Sequence, residues 1–138
     1  MGSSEIKRTI ERNAGEIVRL HKLVHETARQ RGASREARDR WQRACAEFHA
    51  RFDGLSFPGG YEAAGPRILA GDPDAMEAAL CFLELRPYFF RSGYMYRSLL
   101  RKAKRAPLGR SGRERLETVL SRLQAWQAKR RSRGGHQL

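Results

Sequence analysis

Apolar residues recur every three or four positions over the first 52 residues, which predicts two amphipathic helices. The apolar face of the first helix, from residue 4 to about residue 31, carries Ile6, Ile10, Ile17, Leu20 and Val24. Gly32 can adopt the left-handed conformation that ends such a helix. The second helix follows from Ser34, and its stripe is Ala37, Trp41, Ala44, Phe48 and Phe52. Because the connection is short, we expect residues 1–52 to form an antiparallel hairpin.

The pattern breaks at residues 53–71, where we predict a loop. Glycine and proline interrupt a continuous helix there, at Gly54, Pro58, Gly59, Gly60, Gly65 and Pro66. At most one helical turn is expected, near residues 61–64 or 66–70. Asp72 and Pro73 then indicate a helix start, because aspartate caps backbone N–H groups and proline lacks one. The helix over residues 75–85 is apolar on nearly all sides, so we expect it to be the most buried element.

Two further helices are predicted before the C-terminus. Pro87 ends the buried helix, and a fourth helix is expected from Tyr88 to Lys104. A fifth helix follows Gly109 and carries Leu116, Val119, Leu120, Leu123 and Trp126 on one face. Residues 129–138 are predicted to be a basic, mobile tail. No stretch alternates as a strand does, so we predict an all-α fold, a compact bundle of about five helices in a single domain of residues 1–128.

The net charge of +13 is concentrated in the C-terminal part of the chain. The first 85 residues carry 13 basic and 13 acidic side chains, whereas residues 86–138 carry 15 basic and two acidic ones. We therefore interpret the hairpin of residues 1–52 as a charge-balanced scaffold. The helices of residues 72–128 should hold a basic face that attracts an anionic partner.

A helix turns by about 100° per residue, which divides the predicted fourth helix into two faces. Leu99, Ala103, Tyr96, Phe89 and Leu100 form the packing face. The opposite face holds basic residues and two aromatic rings, within an arc of roughly 160°. The fifth helix and the tail continue this basic surface. The predicted nucleic-acid-binding residues are Phe90, Arg91, Tyr94, Arg97, Arg101, Lys102, Lys104, Arg105, Arg113, Arg130, Arg131 and Arg133.

Basic side chains neutralise phosphates, and exposed rings can stack on unpaired bases. We therefore predict a module without enzymatic activity that binds nucleic acid, with RNA or single strands favoured, for example as a small subunit of a ribonucleoprotein. No cofactor and no metal are indicated. The alternative is a protein-interaction module, such as an adaptor, an assembly factor or an immunity-type partner, that docks on an acidic protein surface. The first helix of this protein could also dock on a second copy of the chain and form an oligomer. The alternative to a stacking role for the two rings is that Phe90 and Tyr94 pack against the loop at Phe57 or Tyr61.

The histidines and cysteines allow two weaker hypotheses. His21 with His25, and Cys45 with His49, are pairs four residues apart that two neighbouring helices could combine into a zinc site. Arg43 and His49 match the Arg-x(4–6)-His spacing of small helical ribonucleases, in which the histidine acts as acid or base. Spacings of this kind occur by chance in so arginine-rich a chain.

The sequence predicts a cytoplasmic protein without membrane insertion. The two cysteines, Cys45 and Cys81, are too few for a disulfide framework. The first residues contain no continuous apolar signal region. No run approaches the roughly 18 apolar residues of a membrane span.

Overall fold

A computed structural model describes residues 2–135, which form six helices and no strand. The helices are α1 (Ser3–Gln30), α2 (Arg35–Ser56), α3 (Tyr61–Leu69), α4 (Pro73–Leu85), α5 (Ser92–Arg105) and α6 (Arg110–Gly135). The predicted all-α bundle is confirmed, with one helix more than the sequence indicated. Within the described range, no helix is both long and apolar enough to span a membrane.

The first two helices form the predicted hairpin. The expected seam of α1 is buried, with Ile10, Ile17 and Leu20 at 3% exposure or less. The Ser34 hydroxyl caps α2 by accepting a hydrogen bond from the Ala37 N–H at 3.0 Å. Helices α2 and α4 already pack against α1. Docking of a second copy on α1 stays a prediction, and it would have to use residues of α1 that α2 and α4 do not contact.

The predicted loop of residues 53–71 is wrong, because most of this segment is helical. Helix α2 continues to Ser56, and α3 occupies Tyr61–Leu69 with Pro66 inside it. The Asp53 carboxylate accepts a hydrogen bond from the Glu62 N–H at 2.9 Å and so anchors the start of α3. Gly65 does not interrupt the helix. It lets the Lys102 side chain approach the backbone of α3 closely, since a Cβ at this position would lie 2.8 Å from Cε of Lys102.

Helix α4 is the central element, as predicted. The Asp72 carboxylate accepts hydrogen bonds from the N–H groups of Asp74 and Ala75, and Pro73 occupies the first turn. Seven of its residues are buried, and it packs against α1, α3, α5 and α6. The residue after its last turn, Arg86, adopts the left-handed conformation and ends the helix.

Helix α5 begins at Ser92, four residues later than predicted. The Phe89 N–H donates to the Ser92 hydroxyl at 3.0 Å, and the Ser92 N–H donates to the Phe89 carbonyl at 2.9 Å. The rings of Phe89 and Phe90 both contact Phe52, at centroid distances of 6.2 and 6.1 Å. Consecutive residues of a helix point about 100° apart, so an irregular segment is needed to bring both rings to one neighbour.

Helix α6 continues through Gly135, so residues 129–135 are helical rather than an irregular tail. Residues 136–138 of the predicted tail lie outside the described residues. Leu116 and Val119 are buried, but residues 124–133 are all exposed. At 1.5 Å per residue, about 15 Å of basic helix therefore extends beyond the core.

Candidate functional site

A groove of about 1030 Å³ lies between α1, residues 86–91, α5 and the second half of α6. We refer to it as the aromatic groove. Its basic lining residues are Lys22, Arg86, Arg91, Arg97 and Arg130, and its ring-bearing ones include His21, Tyr88, Phe90, Tyr96 and Trp126. The residues Tyr88, Phe90 and Trp126 are 90%, 41% and 42% exposed. The groove therefore combines flat apolar surfaces with positive charge.

Among the residues that the structure describes, no carboxylate lines the aromatic groove. Within residues 2–135, none of its four arginines has an acidic oxygen within 4.0 Å. Lys22 makes only a long contact of 3.9 Å to Glu26 on its own helix. Like charges that are not neutralised inside a concave surface raise the local positive potential. The groove is thus suited to an external anion.

Three of the four arginines of the groove, Arg86, Arg91 and Arg130, lie against aromatic rings instead of acids. The guanidinium carbon of Arg86 lies 5.0 Å from the ring centre of Tyr96 and 4.7 Å from that of Trp126. Arg130 lies 5.0 Å from the Trp126 ring. A guanidinium stacked in this way keeps its N–H edge available for bidentate contact with a phosphate. The rings therefore position the arginines without neutralising their charge.

The segment between α4 and α5 carries local backbone strain. Arg86 and Arg91 have φ values of 50° and 68°, and within the described residues only glycines share a positive φ with them. Left-handed conformations cost energy for a side chain with a Cβ. Both residues line the aromatic groove. Such strain often marks functional segments.

The N-terminus of α5 also faces this groove through Ser92 and Gly93. None of the residues from 2 to 135 accepts a hydrogen bond from the N–H of Gly93 or Tyr94, and no acidic residue occupies the first turn. The positive end of the helix dipole therefore adds to the charge of the arginines.

A histidine pair borders the groove. The His21 ring stacks on Phe90 at 4.7 Å, and its Nε2 lies 3.3 Å from Nε2 of His25. Partial burial, followed by the neighbouring His25, lowers the pKa of His21 below its ordinary value. The structure does not bring the two pairs of the zinc hypothesis together, because the described residues contain no group of three or more potential metal ligands.

A second basic concavity of about 510 Å³ lies on α5 beside the end of α3. Its lining residues are Leu69, Ser98, Arg101, Lys102, Lys104 and Arg105, and we refer to it as the α5 patch. Lys102 donates a hydrogen bond to the Ser98 hydroxyl at 2.8 Å and crosses Gly65. Lys102 is therefore half-buried, whereas the other three cations are exposed.

The twelve predicted site residues divide into three groups. Phe90, Arg91, Arg97 and Arg130 line the aromatic groove. Arg101, Lys102, Lys104 and Arg105 line the α5 patch. Tyr94, Arg113, Arg131 and Arg133 are exposed but belong to neither concavity. Phe90 and Arg91 precede α5, so their predicted place on its cationic helical face is wrong.

The alternative packing predicted for the two rings is also wrong. Phe90 contacts His21, Phe48 and Phe52 instead of Phe57 or Tyr61. Tyr94 is 64% exposed. Sequence reasoning missed Lys22, Arg86, Tyr88, Tyr96 and Trp126 as groove residues. Of these, Arg86 and Tyr88 could have been identified from the sequence, because they flank Pro87 in an aromatic-rich segment where a helix must end.

The ribonuclease hypothesis has no geometric support. Arg43 and His49 are six residues apart on α2, which places them about 120° apart around the helix. Both are exposed, and neither lines the aromatic groove or the α5 patch. Nothing in their arrangement directs the two side chains to one substrate.

One arginine outside the groove makes the opposite kind of contact. Arg115 of α6 donates hydrogen bonds of 2.6–3.1 Å to the carboxylates of Glu77 and Glu84 on α4. The hydrogen bonds from Arg115 are the main cause of a lowered pKa at Glu84. At Glu77, burial acts to raise the pKa, but hydrogen bonds from Ser3 and Arg115 outweigh it and lower the pKa. We refer to these residues as the Arg115 cluster.

The charge of the hairpin differs from the expected balance. Residues 1–52 carry 12 basic and seven acidic side chains, so the hairpin is basic by itself. The neutrality of the first 85 residues arises from residues 53–85, which contain six acids and one arginine. Two of these acids, Glu77 and Glu84, pair with Arg115.

Comparison with known proteins adds no assignment. No protein-family model matches the chain, and neither the curated proteins nor the solved structures contain a significant match to it.

Proposed function

We propose that this protein binds nucleic acid, with RNA or other single strands favoured, through the aromatic groove and the α5 patch. The observation that carries the proposal is the lining of the groove, where five basic side chains meet exposed rings and no carboxylate. The α5 patch adds four further cations. The proposal includes the cytoplasmic location expected from the sequence and a role such as that of a small ribonucleoprotein subunit.

The charges explain affinity for a phosphate backbone. Each lysine or arginine that contacts a phosphate releases condensed counterions, and this release drives binding at low salt. Arg97 lines the groove, and Arg101 lies one helical turn further along α5, in the patch. A backbone that follows α5 can therefore contact both surfaces.

The rings favour single strands over a duplex. A base can stack on an exposed ring such as that of Tyr88 only when it is not already stacked within a double helix. The groove offers three exposed rings beside its arginines. We therefore expect an unpaired strand to bind more tightly than a duplex of the same sequence.

The test compares two triple variants that remove the same charge. In R86Q/R97Q/R130Q the groove loses three arginines, whereas R38Q/R40Q/R43Q removes three exposed arginines of α2 that line neither concavity. Binding of a fluorescent single-stranded RNA is measured by anisotropy at low salt. We expect the groove triple to bind about 10- to 100-fold more weakly and the α2 triple to change affinity by less than about threefold. Equal losses in both would reject the proposal.

A partner protein with an acidic face is the second candidate. The groove also contains the aliphatic residues Val18, Leu100 and Leu123, and Val18 is 47% exposed. Protein interfaces combine such an apolar centre with a charged rim. A defined partner that stays bound after nuclease treatment and at high salt, and is lost in R86Q/R97Q/R130Q, would favour this candidate.

A further inference from the structure

We infer that the aromatic groove is a site for a single nucleoside monophosphate unit, in which one base stacks on the exposed rings and its phosphate contacts the arginines. This inference rests on the proposed function and makes it more specific. It separates a discrete nucleotide site in the groove from the α5 patch, which would contact only the backbone.

The size of the groove suits a small ligand. Its volume of about 1030 Å³ lies just above the range of small-molecule sites, roughly 300–1,000 Å³, so it has room for a base and its phosphate. The α5 patch is half as large and contains no aromatic residue. Both concavities have room for a small ligand, but of the two only the groove has ring surfaces for a base.

The contacts of Arg86 link the two halves of such a ligand. Its guanidinium is held against Tyr96 and Trp126 at 5.0 and 4.7 Å, and it lines the same groove as the exposed Tyr88, so a cation and a ring that could hold a base share one concavity. Arg86 and Arg130 lie over the Trp126 ring, whereas Tyr88 is 90% exposed and is the groove ring that leaves most surface for a base. A nucleotide has the matching arrangement, a flat ring system and a negative phosphate a short distance apart.

The phosphate would be held by charges from different elements. Arg91 directly precedes α5, Arg97 lies in its second turn and Arg130 lies on α6, and all three line the groove with Arg86. An aspartate or glutamate side chain supplies a carboxylate but no planar ring, whereas a nucleotide carries its anion and its ring in one unit. The combination of rings and guanidinium groups therefore favours a nucleotide.

This ligand can come from either of two sources, a free nucleotide or the phosphorylated end of a strand. Both present the same base and phosphate. We distinguish them by comparing adenosine monophosphate (AMP) with short adenine oligonucleotides that carry either a phosphate or a hydroxyl at the 5′ end.

The experiment follows AMP binding through the fluorescence of Trp126. The W41F variant leaves Trp126 as the sole tryptophan, and calorimetry on the unmodified protein provides a second readout. Adenosine and inorganic phosphate are titrated separately. We expect saturable quenching by AMP, with a Kd of about 1 mM or lower, and binding at least tenfold weaker for adenosine or phosphate alone.

Matched variants assign the site. R86Q should weaken AMP binding at least tenfold, whereas R101Q in the α5 patch should leave it within about twofold. If a strand end is the source, the 5′-phosphorylated oligonucleotide should bind about tenfold more tightly than both its 5′-hydroxyl form and AMP. If the source is the free nucleotide, AMP should bind as tightly as the 5′-phosphorylated oligonucleotide. Either result supports a nucleotide site.

Three results would overturn the inference. They are no AMP binding in calorimetry at concentrations up to about 10 mM, equal binding of AMP and inorganic phosphate, or AMP binding that R86Q leaves unchanged. If AMP fails but RNA affinity still falls in R86Q/R97Q/R130Q, the inference is rejected and the proposed function stands. If RNA itself does not bind, the proposed function fails as well.

Discussion

Arginine has two different environments in this protein, the Arg115 cluster and the aromatic groove. Arg115 contacts two carboxylates at 2.6–3.1 Å and joins α6 to α4. Arg86 and Arg130 contact Trp126 instead, and no carboxylate lines their surroundings. The first environment neutralises the charge within the fold, whereas the second leaves it available.

This difference shows why net charge alone is a poor guide to function. An arginine with acidic partners stabilises the fold and offers little attraction to an external anion. An arginine held by rings keeps its charge and its hydrogen-bond donors for a ligand. Stability and binding should therefore depend on different arginines, and substitutions can separate the two.

The largest effect on stability is expected from Arg115→Met. Its removal takes the guanidinium partner from Glu77 and Glu84, whose side chains are less than a third exposed, although Glu84 keeps Lys7 at 3.2 Å. We expect the free energy of unfolding to fall by about 2 kcal/mol, less than for a fully buried pair, and Tm to fall by about 5–10 °C. RNA affinity at a temperature where the variant is folded should stay within about twofold.

The control is Arg110→Met at the start of α6. Arg110 pairs with Glu114 at 3.5 Å, but its side chain is 95% exposed. Exposed pairs contribute little, so Tm should change by less than about 2 °C. A similar loss in both variants would contradict the role assigned to the Arg115 cluster.

The next effect is a dependence of stability on acidic pH. The pKa values of Glu77 and Glu84 are lowered from an ordinary value of 4.5 in the folded protein. The unfolded chain therefore binds protons first as the pH falls, so this stabilisation is complete above about pH 5.5 and is lost progressively below pH 4.5. Thermal unfolding between pH 3 and 7 should show a smaller acid-induced loss in Arg115→Met than in the unmodified protein.

A smaller effect is expected when strain in the groove is released. Arg86→Gly and Arg86→Ala remove the same charge and the same stacking contacts, but only glycine adopts a φ of 50° without cost. The glycine variant should be more stable than the alanine variant by about 1 kcal/mol in denaturant unfolding. RNA affinity should fall equally in both. Equal stabilities would show that the segment is not strained at Arg86.

The smallest effect concerns His21. Because partial burial and His25 lower its pKa from 6.5 in the folded protein, neutral His21 is favoured, and the protein should lose a little stability as the pH falls below 6.5. We expect His21→Phe to remove a Tm difference of about 1–2 °C between pH 7.5 and pH 5.5. If the Tm difference persists in this variant, a group other than His21 causes it.

The sequence predicts the regular parts of this fold but not its irregular ones. The seam of α1, the Asp72 cap and the buried α4 follow from local spacing and capping chemistry. Helix α3 does not follow from local spacing. Tertiary contacts, such as that between Gly65 and Lys102, outweigh the low helix propensity of Gly65 and Pro66. The start of α5 depends on Phe52 of a distant helix, which positions both Phe89 and Phe90.

The candidate site was predictable only in its charge. The basic residues of α5 could be placed on one face because they share one helix. The aromatic groove depends on Lys22 from α1, Arg86 after α4 and Trp126 from α6, and their proximity arises from packing between elements. Which arginines have acidic partners is likewise a property of the fold. Arg115 pairs with Glu84 and Glu77, which lie 31 and 38 positions earlier in the chain, and no local sequence pattern indicates this pairing.

The most direct test of the central claim is the salt dependence of RNA binding. The logarithm of the association constant is plotted against the logarithm of the salt concentration for the unmodified protein, for R86Q/R97Q/R130Q and for R38Q/R40Q/R43Q. For a single strand, each lost phosphate contact lowers the magnitude of the slope by about 0.7, so the groove triple should lower it by about 2. The α2 triple should leave it nearly unchanged. An unchanged slope in the groove triple would contradict the claim that these arginines are the ones that meet the phosphates.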